Sequence, residues 1–181
     1  MTRIYIVRHC KAAGQEPDAP LTEIGLQQAE ELADFFAGKE VDVILSSPFE
    51  RAYRSITPLA DRLAADIVTD VRLTERVLSR TNHADWREML RLAYEDMDLL
   101  YEGGESSNAA MSRAVSVVTE ALGSGKKNIV IVSHGNLISL LLKHFDSRIG
   151  FDEWEVMSNP DVFLLTFPSW DKPSIRRIWE K

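Results

Sequence analysis

The sequence of 181 residues predicts an α/β fold, a three-layer α/β/α sandwich with a mostly parallel central sheet. Two observations predict it. Short β-branched apolar runs alternate along the chain with segments whose apolar residues recur at helical spacing. The runs are also apolar at consecutive positions, as strands are when helices cover both faces of a sheet. A hydrophobic share of 45% supplies one core for a single domain over residues 1–181, and no repeat or low-complexity linker divides it.

RIYIV at 3–7 is the first strand. The next segment, LTEIGLQQAEELADFFAG, is a helix with both ends marked: Thr22 caps it, Leu26, Ala29, Leu32, Ala33 and Phe36 form its apolar stripe, and Gly38 lies just past its end. VDVILSS at 41–47 is the second strand, and ERAYRSITPLADRLA is the helix after it, with Pro58 placed to bend or divide that helix. A further strand is expected to end near Leu73. SSNAAMSRAVSVVTEALGSG is a helix capped at Ser106, NIVIVSH at 128–134 is a strand that leads into the helix NLISLLLKHF, and DVFLLTF at 161–167 is the last strand expected. Between 77 and 105 an insertion carries Trp86, Leu90, Ala93, Tyr94, Met97 and Tyr101 at helical spacing. Ordinary packing accounts for most of that stripe. A lid over a pocket is the other role open to it.

Composition removes several classes of function. A net charge of −7 argues against a nucleic-acid partner, because phosphate backbones attract basic surfaces. No run reaches the length of a membrane span, and the N-terminus lacks the charged-then-apolar pattern of a secretory signal, so no membrane partner is expected. Cys10 is the single cysteine and has no disulfide partner in the chain, which fits a cytoplasmic location.

In a parallel sheet, ligands sit at the carboxyl ends of the strands. Here those ends carry Arg8-His9, Ser46-Ser47-Pro48 just before Arg51, and Ser133-His134-Gly135. Taken singly, a strand-end His or a helix-start Arg is most often a satisfied or solvated surface group. Two arginines and two histidines at equivalent ends of separate strands are not what core packing produces, and together they describe an anion site.

Five segments in order, Arg8-His9, SSPFERA around Arg51, RLTER around Glu75, GGES at 103–106 and SHGN at 133–136, resemble the motifs of the histidine phosphatase superfamily, the phosphoglycerate mutase-like proteins. The resemblance runs from the first strand to the last. It implies that His9 becomes transiently phosphorylated and that Arg8, Arg51 and His134 hold the phosphoryl group. It also implies that Glu75 gives the leaving alkoxide its proton. The residue types suit that chemistry. Guanidinium stays charged and donates parallel hydrogen bonds to phosphate oxygens, which lysine cannot reproduce. A histidine nucleophile needs one neutral ring nitrogen, with the other donating to a nearby acceptor such as a backbone carbonyl. His134 is expected to be cationic beside the phosphate, and Gly135 to let the backbone approach it. Glu75 must hold its proton while substrate binds, and a mildly acidic optimum is expected. A solvated Glu75 paired with Arg72 or Arg76 is the alternative. The scheme calls for no metal and no cofactor.

One position departs from the family pattern: Cys10 stands where glycine is usual after the nucleophilic histidine. A thiol nucleophile is disfavoured, since KAAGQEP after Cys10 lacks the glycine-rich, arginine-ended loop such enzymes use. His83 could reach the site from the insertion, though exposure accounts for it, and His144 is expected to be peripheral. Residues 76–105 carry four arginines against seven acidic residues, a net of −3, which disfavours a polyphosphorylated substrate. Three readings follow. The first is a metal-independent, acid-type phosphatase acting on a small phosphorylated metabolite. The second is a phosphoglycerate mutase, against which the opening RHCKAAGQ lacks the mutases' RHGxSxWN pattern. The third is a phosphate- or phosphoprotein-binding module without turnover. The natural substrate and the oligomeric state stay open at this point.

Overall fold

The computed structural model describes residues 1–169 and 172–180. Its strands are β1 (Thr2–Arg8), β2 (Val43–Ser46), β3 (Ile67–Thr69), β4 (Asn128–Ser133), β5 (Asp161–Phe167) and β6 (Ser174–Arg177), with helices α1 (Glu23–Phe35), α2 (Glu50–Leu63), α3 (Trp86–Glu95), α4 (Ser107–Gly123), α5 (Gly135–Phe145) and α6 (Phe151–Glu155). The strands form one six-stranded sheet in the order β3-β2-β4-β1-β5-β6. β1 to β4 pair in parallel, while β5 runs antiparallel to β1 and β6 antiparallel to β5.

Alternation of side chains along the strands divides the core in two. Ile4, Ile6, Ile129 and Ile131 point to one face, where α4 and α5 supply Val117, Val118, Leu137 and Ile138. Tyr5, Val7, Val130 and Val132 point to the other, where α1 and α2 supply Leu32, Ala33, Ile56 and Leu59. The result is an α/β/α sandwich. Capping fixes where two of the helices begin: Thr22 Oγ1 accepts from Gly25 N at 3.0 Å, and Ser106 Oγ accepts from Ala109 N at 3.1 Å. Each such cap contributes about 1 kcal/mol.

Three details differ from the sequence reading. α2 runs unbroken through Pro58, its buried Ile56, Leu59 and Ala60 holding the helix on the sheet. The third strand stops at Thr69 rather than near Leu73. Asp70 ends it by accepting from Arg72 N at 2.9 Å, which curls Val71–Leu73 into a short 3-10 turn. β6 is an edge strand with Ile175 as its one apolar residue, too little signal for a strand to be read. Among the described residues, no helix is long and apolar enough to cross a membrane.

Register sets the functional edge. Arg8 lies opposite Ser133 on β4 and Asp161 on β5, and Ser46 lies opposite Val132, so the ends of β1, β2 and β4 and the start of β5 meet at one level. The 77–105 excursion rises beside that edge, its neck closed by Glu105 N donating to Val77 O (2.9 Å) and Arg80 N donating to Glu102 O (2.8 Å). Within it, Leu90 and Tyr94 of α3 are buried in the core beneath α4 and α5.

Candidate active site

His9 extends the β1–β4 ladder by one residue, its N–H donating to Ser133 O at 3.1 Å. Asn159 Nδ2 in turn donates to His9 O at 2.9 Å. The ring is fixed from behind, because Nδ1 donates to the Cys10 carbonyl at 2.7 Å. That bond sets the tautomer and leaves the Nε2 lone pair free. Burial pulls the His9 pKa down to about 3; the bond to Cys10 opposes this, and the charges of Arg51 and Arg8 add to it. His9 is therefore neutral near pH 7.

His134 ends β4 and caps α5, with its ring 5.1 Å from that of His9 and its Nε2 2.9 Å from Ser47 Oγ. Its Nδ1 is buried and has no partner among the described residues. Burial, then the nearby His9, Arg51 and Arg8, hold its pKa well below the usual histidine value. Packed among arginines with no anion beside it, the imidazole is held toward its neutral form.

Two arginines flank the histidines. Arg8 donates through one terminal nitrogen to Met157 O at 3.2 Å, and Arg51, only 1% exposed, donates to Glu16 O at 2.8 Å. The Nε of each is buried and unpartnered, and neither pairs with a carboxylate within salt-bridge distance among the described residues. Burial lowers both pKa values, with the Glu75 charge opposing it. Gly135 is required here by close approach, since a Cβ on it would lie 2.8 Å from Arg8 Nε.

Glu75 does not take the exposed ion pair that was its alternative. Arg72 pairs instead with Asp70 and Glu120, at 2.7 and 2.8 Å. The Glu75 carboxyl faces the first turn of α5, accepting from Asn136 N at 3.1 Å and Leu137 N at 2.9 Å, and from Arg76 N at 2.8 Å. Cys10 is fully buried, and burial pushes its thiol up to about 12, which removes it as a nucleophile. Its N–H donates to Ser55 Oγ at 2.7 Å, and Ser55 Oγ donates to Arg51 O at 2.6 Å. One side chain thus ties the loop after His9 to the helix that carries Arg51.

Arg8, His9, Arg51, Glu75 and His134 therefore converge. A cleft of about 630 Å³ opens beside them, lined by Arg8, Glu75, Arg76 and Asn136 and rimmed by Trp86 and Trp154. His83 is exposed on that rim, whereas His144 is exposed on the far side of α5. A larger concavity of about 860 Å³, between α1 and β6, holds none of the residues expected from sequence, and the chemistry points to the smaller one. Ser55, Asn159 and Trp154 carried no sequence signal. Asn136 and Arg76 lay inside quoted motifs, but spacing alone gave them no role.

Comparison with known proteins gives the family of the chain. The family described as the histidine phosphatase superfamily (branch 1) matches residues 4–172. A Hydrogenobacter thermophilus protein named "Putative phosphoserine phosphatase 2" is 30% identical over 158 residues, 78% of this chain and 77% of that one. A glucosyl-3-phosphoglycerate phosphatase of Mycolicibacterium vanbaalenii is 29% identical over 161 residues, 77% of this chain and 68% of that one. Among solved structures, a mycobacterial glucosyl-3-phosphoglycerate phosphatase in complex with VO3 superposes with a TM-score of 0.81 at 25% identity, covering 99% of both chains. With the family match running from β1 almost to β6, this chain belongs to branch 1 of the histidine phosphatase superfamily.

Proposed function

We propose that this protein is a metal-independent phosphatase that hydrolyses phosphate monoesters of small metabolites through a phosphohistidine at His9. One observation carries the reading: the Nδ1 proton of His9 is committed to the Cys10 carbonyl, so Nε2 keeps its lone pair near Arg51 and Arg8, whose Nε donors are buried and unspent. Arg8 and Arg51 offset the two charges of the phosphate, which is why the scheme needs no metal.

In the first step Nε2 bonds to phosphorus as the ester P–O bond breaks, and the departing alkoxide takes a proton from Glu75. Of the Glu75 oxygens, Oε1 accepts two backbone N–H groups and Oε2 one, so Oε2 has room for that proton. In the second step Glu75, now a carboxylate, takes a proton from water as the water oxygen bonds to phosphorus and the N–P bond breaks. Phosphate leaves, and His9 is neutral again. The Ser47 hydroxyl, 2.9 Å from His134 Nε2, can donate to it, which puts the His134 proton on Nδ1 for a phosphate oxygen. The 77–105 excursion walls the cleft on the leaving-group side and serves as its lid, selecting among small phosphorylated substrates such as those named for the relatives.

The test is phosphate release from a panel of small phosphomonoesters in the presence of chelator, comparing wild type with His9→Ala. Release that survives chelation and falls at least about 10³-fold in the variant is the expected result. An acid quench of wild type during turnover should trap an acid-labile phosphoenzyme that His9→Ala cannot form. Chelator-sensitive release, or a phosphoenzyme that persists in the variant, would overturn the mechanism. Return of the phosphoryl group to an organic acceptor instead of water would make the protein a mutase.

A further inference from the structure

One loop touches both Arg8 and His9. Residues 156–160 join α6 to β5, and Arg8 donates to the Met157 carbonyl at 3.2 Å, with the Ser158 carbonyl beside it at 3.5 Å. The next residue, Asn159, donates through Nδ2 to the His9 carbonyl at 2.9 Å. The position of this loop therefore sets where the Arg8 guanidinium and the His9 backbone lie.

The loop is held in turn by a carboxylate outside the cleft. Asp161 opens β5 opposite Arg8 and is fully buried. Its Oδ2 accepts from Ser158 N at 3.0 Å, and its Oδ1 from Val162 N at 3.0 Å. Arg177, on the edge strand β6, closes the group with a two-pronged pair: Nε donates to Oδ1 at 2.9 Å, and a terminal nitrogen to Oδ2 at 2.6 Å. That same nitrogen lies 3.3 Å from Ser158 Oγ. The carboxylates paired with Arg80, Arg87 and Arg91 all lie at the surface, so this buried pair is of another kind.

A buried carboxylate is costly unless it is paired, and removing one partner of such a pair leaves an uncompensated charge. Here that charge would act on the anion site. Burial lowers the Arg8 pKa, and the charges of Glu75 and then Asp161 oppose it, so the field of Asp161 reaches the Arg8 guanidinium. An unmatched Asp161 would compete with a bound anion for Arg8. We infer that Arg177 is a positioning residue of the site: together with Asp161 it fixes the 156–160 loop, and by matching the Asp161 charge it leaves Arg8 to the anion. The inference rests on the phosphatase reading only for the identity of that anion, a phosphate. Its working part is a side chain on the last strand that touches no residue of the cleft floor directly.

Calorimetric titration with inorganic phosphate reads the anion site without turnover. Arg177→Gln should weaken phosphate binding by about 10-fold, the scale of one charge-assisted hydrogen bond. Arg177→Lys keeps the charge and gives up the planar fork, and should lose less than about threefold. In an Asp161→Asn background the same Arg177→Gln change should cost less than about twofold, because the charge it matched is gone. Asp161→Asn alone leaves Arg177 on an exposed edge where water can reach it, and by loosening the loop it should lower kcat on a small phosphomonoester by about 10-fold. That variant carries the test if Arg177→Gln does not fold. A folded Arg177→Gln whose phosphate Kd stays within about twofold of wild type overturns the inference, and a lowered melting temperature beside it marks a merely structural pair. So does a loss that persists undiminished in the Asp161→Asn background, or an Asp161→Asn kcat within about twofold of wild type. The expected pattern in binding, with no ester hydrolysed by wild type, supports the inference and fails the phosphatase reading alone.

Discussion

The floor of the cleft and its rim are built on opposite electrostatic plans. On the floor, Arg8, Arg51 and His134 are held by backbone carbonyls or a hydroxyl and are left with buried atoms unpaired. On the rim, Arg80 pairs with Glu102, Arg87 with Glu155, and Arg91 with Glu88 and Glu95, all at the surface. Paired exposed charges contribute little to stability, whereas a buried charge left short of partners is costly. The contrast separates the two jobs of the site. Under the proposed function, the floor takes the phosphoryl group and the rim meets what is attached to it.

The largest effect is expected where the floor's geometry is tightest. A Cβ at residue 135 would meet Arg8 Nε, Cζ and a terminal nitrogen at 2.8, 2.9 and 3.0 Å, so Gly135→Ala must push the guanidinium aside. The obstructed atoms are the end of a flexible side chain, and residue 135 begins α5, where alanine is a better helix former by up to about 1 kcal/mol. We expect kcat/KM to fall by about 10- to 100-fold, since a misplacement near 1 Å is enough for that, with an unchanged or higher melting temperature. Loss of activity together with loss of stability would mean that the floor and the fold cannot be separated.

The next effect is on stability and comes from the buried imidazoles. In the unfolded chain a histidine takes up its proton as pH falls through about 6.5, whereas folded His9 does so only near 3, and His134 is displaced in the same direction. Between those values the unfolded state binds more protons, so acidification favours unfolding. Full stability is present above pH 6.5, and the loss is up to about 1.4 kcal/mol per pH unit for each such histidine. Urea unfolding at pH 6.5 and 5.0 should show this decline. Phosphate at saturation should flatten it by bringing an anion to both rings, and His134→Gln should reduce the slope by the share of one histidine. A pH-independent midpoint over that window would show that the rings are protonated in the folded protein.

The floor was also the more legible region, for a physical reason. β1 and β4 are buried on both faces and so read as unbroken apolar runs, and a parallel sheet puts their carboxyl ends side by side, which brings Arg8, His9 and His134 together without any knowledge of contacts. What failed to read was whatever depends on a partner distant in sequence. Ser55 bridges Cys10 to Arg51, Asn159 holds the His9 carbonyl and Trp154 closes the rim against Trp86, yet no local pattern marks any of them. The lowered pKa of His134 was equally out of reach, because sequence shows neighbours but not burial, and burial is the leading cause of the shift. The short edge strand β6 and the early end of β3 belong to the same class, one having too few apolar residues and the other being stopped by a side chain.

The smallest effect tests the rim. Arg91 is the most heavily paired side chain on α3, bonded to Glu88 one turn before and Glu95 one turn after, with all three side chains more than a third exposed. Solvent screening and the cost of ordering long side chains leave such helix pairs worth about 0.3–0.5 kcal/mol each. Arg91→Gln should therefore lower stability by less than about 1 kcal/mol and leave kcat/KM on small phosphomonoesters within about twofold. If Arg91→Gln lowered kcat/KM as far as Gly135→Ala does, paired surface charge would be the functional kind in this protein, and the division between floor and rim would fall.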